Sequence, residues 1–356
     1  MWFKTKNMNN NSNWIVAAMV GVFSVCACFS HAQTNYSGAG ETLIPSKSWP
    51  CGMPEGIPVP ERGAPVFVAE MKLGQIYHIG ATPFGQRDVF VVESGSVTGE
   101  KINGSVMPGA LDFQLSFTNG AMEIEEVLVL KSGDGKYIYA RIPGTAAKQS
   151  DVRLVPDFEA PTASAYAWLN SGIFVARRIV DEAAKTLKIS VFDMSNAVPS
   201  AGSVSVNKPA GLPDQPWDYR KAAPSEKRGE QLITEQVALG GSQSVGTSKH
   251  GGRNIIPITG GTLTGKITGK VLFGGADYQS LGNGATLDAR YLWQTAEGDV
   301  IIVRNAGPVS SLVPVFEASV DSKYSFLNKG TYQSSSPGMG SGGVGLSFYQ
   351  TTQSGQ

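Results

Sequence analysis

The sequence predicts an all-β protein built from two tandem antiparallel β-barrels. The first observation is that the chain repeats itself. The stretch Ile79 through Gln114 reappears as Val245 through Gln279, and Val155-Pro156-Asp157-Phe158-Glu159-Ala160 returns as Val313-Pro314-Val315-Phe316-Glu317-Ala318. A repeat this long is a duplicated domain rather than a solenoid unit. The second is composition: 43 of 356 residues are Gly and 41% are hydrophobic, which favours many short strands and tight turns over long helices. The third is the even spacing of the apolar segments, which a closed barrel accommodates while disposing of exposed strand edges.

Residues 1–32 read as an export signal. Lys4 and Lys6 precede an apolar run from Trp14 to Phe29, and Ser30-His31-Ala32 supplies small residues for cleavage before Gln33. The run is short for an uncleaved membrane anchor, and Val25-Cys26-Ala27-Cys28 is a poor lipobox for acylation at Cys28. The expected destination is periplasmic or extracellular. Cleavage leaves Cys51 as the one cysteine, so neither an intramolecular disulfide nor a Cys-ligated metal site is expected. With 29 basic and 29 acidic residues, nothing points to nucleic acid, nor to a membrane surface once the signal is gone. Oligomeric state is left open.

Residues 33–62, rich in Pro and Gly, read as an extended lead-in, and the first barrel spans 63–195. Within it, Asp88–Glu93, a turn at Ser94-Gly95 and a strand ending near Gly104 form one hairpin. Glu123–Leu130, a turn at Gly133-Asp134-Gly135 and Lys136–Ile142 form another. Ile179–Lys185 looks mildly helical. Pro199, Pro209, Pro213, Pro216 and Pro224 mark a linker over 196–228. The second barrel, 229–356, repeats the hairpins as Asn254–Thr259 turning at Gly260-Gly261, and as Leu287–Gln294 and Val300–Asn305 around Glu297-Gly298-Asp299.

Familiar catalytic signatures fail on inspection. Gly260-Gly261-Thr262-Leu263-Thr264-Gly265-Lys266 begins like a P-loop, but Ile267 stands where a Ser or Thr must reach magnesium. Gly338-Met339-Gly340-Ser341-Gly342-Gly343 lacks the helix that a dinucleotide site requires. No Gly-x-Ser-x-Gly elbow occurs. His78 and His250 do not align between copies, so no metal or cofactor site is expected.

The duplication supplies a filter, since polar residues kept in both copies are the better candidates. Arg87 pairs with Arg253, Asp112 with Asp277, Gln114 with Gln279, Glu125 with Asp288, Arg141 with Arg304, Tyr166 with Tyr324, Asn170 with Asn328 and Glu159 with Glu317. Asp277 and Gln279 share one strand face, as do Asp288 and Arg290. If that face is the barrel interior, a carboxylate, an amide and an arginine converge on one cavity, which a ligand commonly completes. The competing reading is that these residues cap turns or form structural ion pairs, and it is preferred for Glu159/Glu317 and Asn170/Asn328. Gly95, Gly109, Gly261 and Gly274 read as turn or bulge glycines needing positive φ.

These segments resemble domain-of-unknown-function family 3237, an uncharacterised protein family. The resemblance rests on Arg253-Asn254-Ile255-Ile256-Pro257-Ile258-Thr259-Gly260-Gly261, Gly274-Gly275-Ala276-Asp277-Tyr278-Gln279, Leu287-Asp288-Ala289-Arg290-Tyr291 and Ile302-Val303-Arg304-Asn305-Ala306-Gly307. In copy one it rests on Ile79 to Arg87 and Tyr166-Ala167-Trp168-Leu169-Asn170. It implies a calycin-like antiparallel β-barrel and no agreed activity. The copies diverge: Val127 stands opposite Arg290, Ile142 opposite Asn305, and Ala110-Leu111 opposite Gly275-Ala276. Copy two is therefore expected to hold the fuller pocket. Three functions are open. The first is an exported protein binding a small, partly polar molecule. The second is a cofactor-independent cyclase, isomerase or lyase with Asp277 or Asp288 as acid or base and Arg290 or Arg304 stabilising an anion. The third is a structural or interaction protein with filled barrels.

Overall fold

The computed structural model describes residues 56–61, 63–195, 203, 209–213, 220–282, 284–340 and 343–353. The expected signal segment and most of the lead-in and linker lie outside them. Copy one contributes β1 (Phe67–Thr82), β2 (Gly85–Thr98), β3 (Asn103–Val106), β4 (Leu111–Ser116), β5 (Met122–Ser132), β6 (Tyr137–Ala146), β7 (Val152–Leu154), β8 (Asp157–Glu159), β9 (Phe174–Asp181) and β10 (Thr186–Asp193). Eight of them close antiparallel in the order β1-β2-β4-β5-β6-β7-β9-β10 and back to β1. β3 bridges β2 and β5, and β8 lies along β6.

Copy two contributes β11 (Glu226–Leu239), β12 (Gln243–Ser248), β13 (Gly251–Gly265), β14 (Gly269–Val271), β15 (Ala276–Ser280), β16 (Thr286–Thr295), β17 (Val300–Pro308), β18 (Val313–Glu317), β19 (Tyr332–Ser334), β20 (Gly338–Gly340) and β21 (Gly343–Gln353). Its ladder runs β18-β17-β16-β14-β13-β11-β21-β19, with β15 between β13 and β16. The Ser334 N–H donates to the Leu312 carbonyl at 3.1 Å and brings the two ends of this sheet together.

The hairpins at Gly133-Asp134-Gly135 and Glu297-Gly298-Asp299 form as the turn residues predict. Two expectations fail for a shared reason. Ser94-Gly95 and Gly260-Gly261 lie inside continuous strands, which bend at register shifts rather than turn back. Gly95 does not need positive φ. A Cβ there would approach Met71 at 2.8 Å and the Glu70 carbonyl at 2.9 Å, so close approach demands the glycine. Ile179–Lys185 is not helical: Ile179 to Asp181 complete β9, and the chain turns into β10.

Each barrel has its own core. In copy one Phe67, Phe90, Phe158 and Phe174 lead it, and in copy two Trp293, Phe316, Tyr332 and Phe348 do. Both copies also bury part of their outer surface against each other, and several contacts across this seam recur with the copies exchanged. Ile79, Val89, Leu111 and Phe113 of copy one pack on Leu292 and Ile302 of copy two. Their equivalents Val245, Ile255, Ala276 and Tyr278 of copy two pack on Val129 and Tyr139 of copy one. The Thr162 N–H donates to the Thr247 carbonyl at 2.9 Å, and the equivalent Val320 N–H to the Ala81 carbonyl at 2.8 Å. This is the self-complementary geometry of a two-fold dimer, built within one chain. Gly109 and Gly274 meet at its centre with positive φ (91° and 116°), where a backbone bond of 2.7 Å joins the Gly275 N–H to the Gly109 carbonyl.

Candidate functional site

Strand alternation sorts the shared polar residues into two sets. On β2, Arg87 shares the face of Val89 and Val91, which belong to the seam, whereas Phe90 points into the barrel. On β4, Leu111 and Phe113 face the seam, and Asp112 and Gln114 face inward. On β16, Asp288 and Arg290 face outward, while Leu287, Ala289, Tyr291 and Trp293 face inward. The expectation that Asp277 and Gln279 converge with Asp288 and Arg290 on one cavity is therefore corrected. The two pairs lie on adjacent strands but project to opposite sides of the wall.

The outward set is the polar part of the seam. Arg87 donates from Nε to Glu317 Oε1 at 2.8 Å and from Nη2 to Oε2 at 3.0 Å. Its counterpart Arg253 does the same to Glu159, at 3.1 Å and 2.5 Å, and lies over the Tyr139 ring. Burial opposes the charge on Glu159, but the bonds from His250 and Arg253 prevail and hold its pKa down to about 2. Glu125 is wholly buried and receives Arg290, Arg304 at 2.9 Å and Arg141 at 3.2 Å. Burial alone would raise its pKa; the three arginines drive it well below the ordinary carboxylate range. Arg290 also grips Asp288 through Nη2 at 2.9 Å. Thus Arg87, Arg253, Arg290 and Arg304 reach carboxylates of the other copy, and Arg141 and Asp288 complete the same ion-paired set rather than line a cavity. A cavity of about 10 Å³ beside Arg304, Glu317 and Phe84 leaves room there for no more than a water.

The rings of Tyr166 and Tyr324 pack against the cores of their barrels, but their hydroxyls turn to the hairpins. Their hydroxyls donate to Asp134 at 2.8 Å and to Glu297 at 2.6 Å, pinning the two hairpin turns. Asn170 and Asn328 bond both ways to the backbone of Ala160 and Ala318, the structural role expected for them.

The inward set differs between copies. In barrel one Arg178 of β9 crosses the interior to Asp112, with bonds of 2.7 and 3.0 Å, reaches Gln114 at 3.3 Å and covers the Phe90 ring. Glu126 lies beside them with neither carboxylate oxygen hydrogen-bonded. Burial, and then the neighbouring Asp112, push its pKa well above normal, so it is held as the acid. The inward residues at this end (Leu73, Phe90, Asp112, Gln114, Glu126 and Ile142) are all 6% exposed or less. This end is sealed.

In barrel two the equivalent positions are Leu239, Ile256, Asp277, Gln279, Ala289 and Asn305. All but Asn305 are partly accessible. Two differences open this end. Ala289 replaces Glu126 and vacates its volume. The strand equivalent to β9 is β19, which stops at Ser334, so no counterpart of Arg178 crosses over. Asp277 is held by a file of donors: Ser242 Oγ gives to Asn254 Oδ1 at 2.6 Å, Asn254 Nδ2 to Gln279 Oε1 at 2.9 Å, and Gln279 Nε2 to Asp277 Oδ2 at 2.8 Å. The Asp288 N–H adds a bond of 3.2 Å to Oδ1. Burial pushes the Asp277 pKa up to about 6 against those bonds.

Deeper in the same barrel is a residue that comparing the copies could not reveal. Glu235 of β11 is wholly buried and accepts bonds from the Tyr291 hydroxyl at 2.6 Å and Trp293 Nε1 at 2.8 Å. Burial pushes it up to about 7 despite those bonds. Its counterpart in copy one is Ala69, so the requirement for identity between copies discarded it. The available signal was a lone acid among inward apolar positions, Ile233-x-Glu235-x-Val237. Below it Trp293, Phe316, Tyr332 and Phe348 pack edge to face or tilted as an aromatic floor. Asn305 and Ser334 satisfy each other at 3.1 Å. Among the described residues no group of three or more His, Cys, Asp or Glu is placed to hold a metal ion.

The model of the DUF3237 family, described as a protein of unknown function, matches residues 62–194 and 228–323, which is most of both barrels. This chain belongs to that family. Among its curated relatives, a UPF0311 protein of Bradyrhizobium diazoefficiens is 40% identical over 78 residues, covering 21% of this chain and 51% of the relative. Another, from Clostridium acetobutylicum, is 29% identical over 108 residues, covering 26% and 68%. The chain spans about half the length of the first of these relatives. Among solved structures, a conserved protein of unknown function from Rhodopseudomonas palustris aligns with 36% of this chain and 95% of its own, at 26% identity and a TM-score of 0.33. A beta-barrel-like protein from Acinetobacter baumannii aligns with 38% and 97%, at 19% identity and a TM-score of 0.34. The strands described above bear out the expected all-β class.

Proposed function

We propose that this is an exported protein whose second barrel binds a small, partly polar molecule at its open end, while the first barrel is structural. One observation carries the reading: the same inward positions are sealed in copy one and accessible in copy two. An apolar recess with a few convergent polar groups is the usual form of a small-molecule site. Here Leu239, Ile256, Leu287 and Ala289 supply the apolar wall, and Asp277, Gln279 and Asn254 the polar side. The residues that support binding are thus Asp277 and Gln279 of the expected set, with Asn254 and Glu235 added.

A second reading, acid–base catalysis without a cofactor, is favoured by Asp277 itself. A partly accessible carboxyl with a pKa near 6 is matched to proton transfer near neutral pH. Arg290 and Arg304 take no part in this version, because both are committed to the seam.

The test is native and denaturing mass spectrometry of the protein purified from its own host. A co-purifying compound that is lost in Ala289→Leu, a substitution that refills the recess, supports the site. A protein that carries nothing, and whose melting temperature no member of a broad metabolite panel moves, refutes it. Turnover of the bound compound, abolished by Asp277→Asn with binding kept, would select the catalytic version.

A further inference from the structure

The charge of the open end narrows its ligand, and this inference rests on the reading of barrel two as a binding site. Few polar groups face inward at this end. Among the described residues, Asp277 is bonded by an amide and a backbone N–H, and Glu235 by a phenol hydroxyl and an indole. The guanidiniums nearest in sequence, Arg253, Arg290 and Arg304, lie on the other face of the wall, each held to Glu159 or Glu125. Among the described residues no salt bridge reaches Asp277. Its two oxygens accept one bond each from the protein, which leaves lone pairs on both for a further donor. The file of amides that ends on it also points hydrogen atoms at the carboxylate, which favours its charged form. An anionic ligand would find no cation there and would face a carboxylate in a partly dry recess, where like charges repel more strongly than in water.

We propose that the open end of the second barrel takes an apolar molecule whose polar head donates hydrogen bonds, a protonated amine foremost, and excludes carboxylates. Asp277 receives the head, and Leu287, Ala289 and Ile256 take the body.

Three probes of one skeleton separate the outcomes: 2-phenylethylamine, 2-phenylethanol and phenylacetate, titrated at pH 7.5 with chemical-shift or calorimetric detection. The expected order is amine, then alcohol, with phenylacetate at least about tenfold weaker than the amine, the worth of 1.4 kcal/mol. Asp277→Asn should remove the preference for amine over alcohol while leaving alcohol binding within a few fold. Ala289→Leu should weaken both and serves as the second variant should Asp277→Asn fold poorly. Phenylacetate binding as tightly as the amine, and sensitive to Ala289→Leu, overturns the charge preference while the site stands. Binding of none of the three up to millimolar concentration, or binding indifferent to Ala289→Leu, overturns the site and the preference with it.

Discussion

Glu125 and Glu126 are neighbours on β5, both wholly buried, and the structure requires opposite consequences from the same substitution. Glu125 faces the seam, where Arg290, Arg304 and Arg141 converge on it. Glu125→Gln keeps the shape and removes the one negative charge those cations share. Breaking a buried pair typically costs about 3–5 kcal/mol. At about 2 °C per kcal/mol for a chain of this size, the melting temperature should fall by roughly 6–10 °C at pH 7. Glu126 faces the interior of barrel one as a neutral acid, so glutamine is nearly its isostere, and Glu126→Gln should cost little.

The pH dependence separates them further. The Glu125 pKa is depressed, so its stabilisation is fully present above the ordinary 4.5 and is lost as pH falls below it. The Glu126 pKa is raised, so the unfolded chain gives up its proton first and stability declines as pH climbs above 4.5. Glu126→Gln should therefore be neutral near pH 4 and stabilising at pH 7. Thermal and urea unfolding at both pH values decide the matter. Equal losses for the two variants, or a loss under about 1 kcal/mol for Glu125→Gln, would refute the assignment of the two faces.

The seam should respond symmetrically. Glu317→Gln and Glu159→Gln remove equivalent carboxylates, and their urea midpoints should fall by similar amounts, with Glu317→Gln the larger because the Arg87 pair is the more deeply buried. Arg178→Met takes the cation from Asp112 and should destabilise the protein by about 3–5 kcal/mol, read by the same unfolding curves; a neutral outcome would mean that Arg178 does not seal barrel one. In barrel two, Asp277 rises from 3.8 to about 6 and Glu235 from 4.5 to about 7, so each lowers stability as pH climbs through its own window. Asp277→Asn should flatten the stability profile between pH 4 and 6, and Glu235→Gln between 4.5 and 7; a profile unchanged by either variant would count against its inward placement.

The duplication made the architecture legible, and with it the hairpins set by Gly133-Asp134-Gly135 and Glu297-Gly298-Asp299. It did not show which way a side chain faces. In an ordinary half-exposed sheet, alternation of apolar and polar residues marks the inner face. Here the strands at the seam are covered on both sides, one by the barrel interior and the other by the second barrel. β4 reads Leu111-Asp112-Phe113-Gln114-Leu115, buried throughout, and β5 from Met122 to Leu130 is buried throughout as well. Charges then occur on both faces, and nothing local in the sequence separates Asp112 from Glu125. Pairing Arg87 with Arg253 and Glu159 with Glu317 found residues that matter. That they matter to each other, copy to copy, appears only when the two-fold seam is seen.

The same symmetry explains why the candidate site survives in one copy only. A two-fold seam uses equivalent patches of both copies, so substitutions there are tested twice, and Arg87, Arg253, Glu159 and Glu317 are kept. The barrel interiors carry no such constraint, because neither takes part in holding the other. In a dimer of identical chains a substitution that sealed one barrel would seal both. Joined in one chain, the copies are free to part. Copy one has Glu126 and the Arg178–Asp112 ion pair, which together plug its interior. Copy two has Ala289 and the shortened β19 at the same places, which leave Asp277 within reach of a ligand. Refilling the Ala289 position should thus abolish binding while sparing the seam, whereas breaking the seam should loosen both barrels.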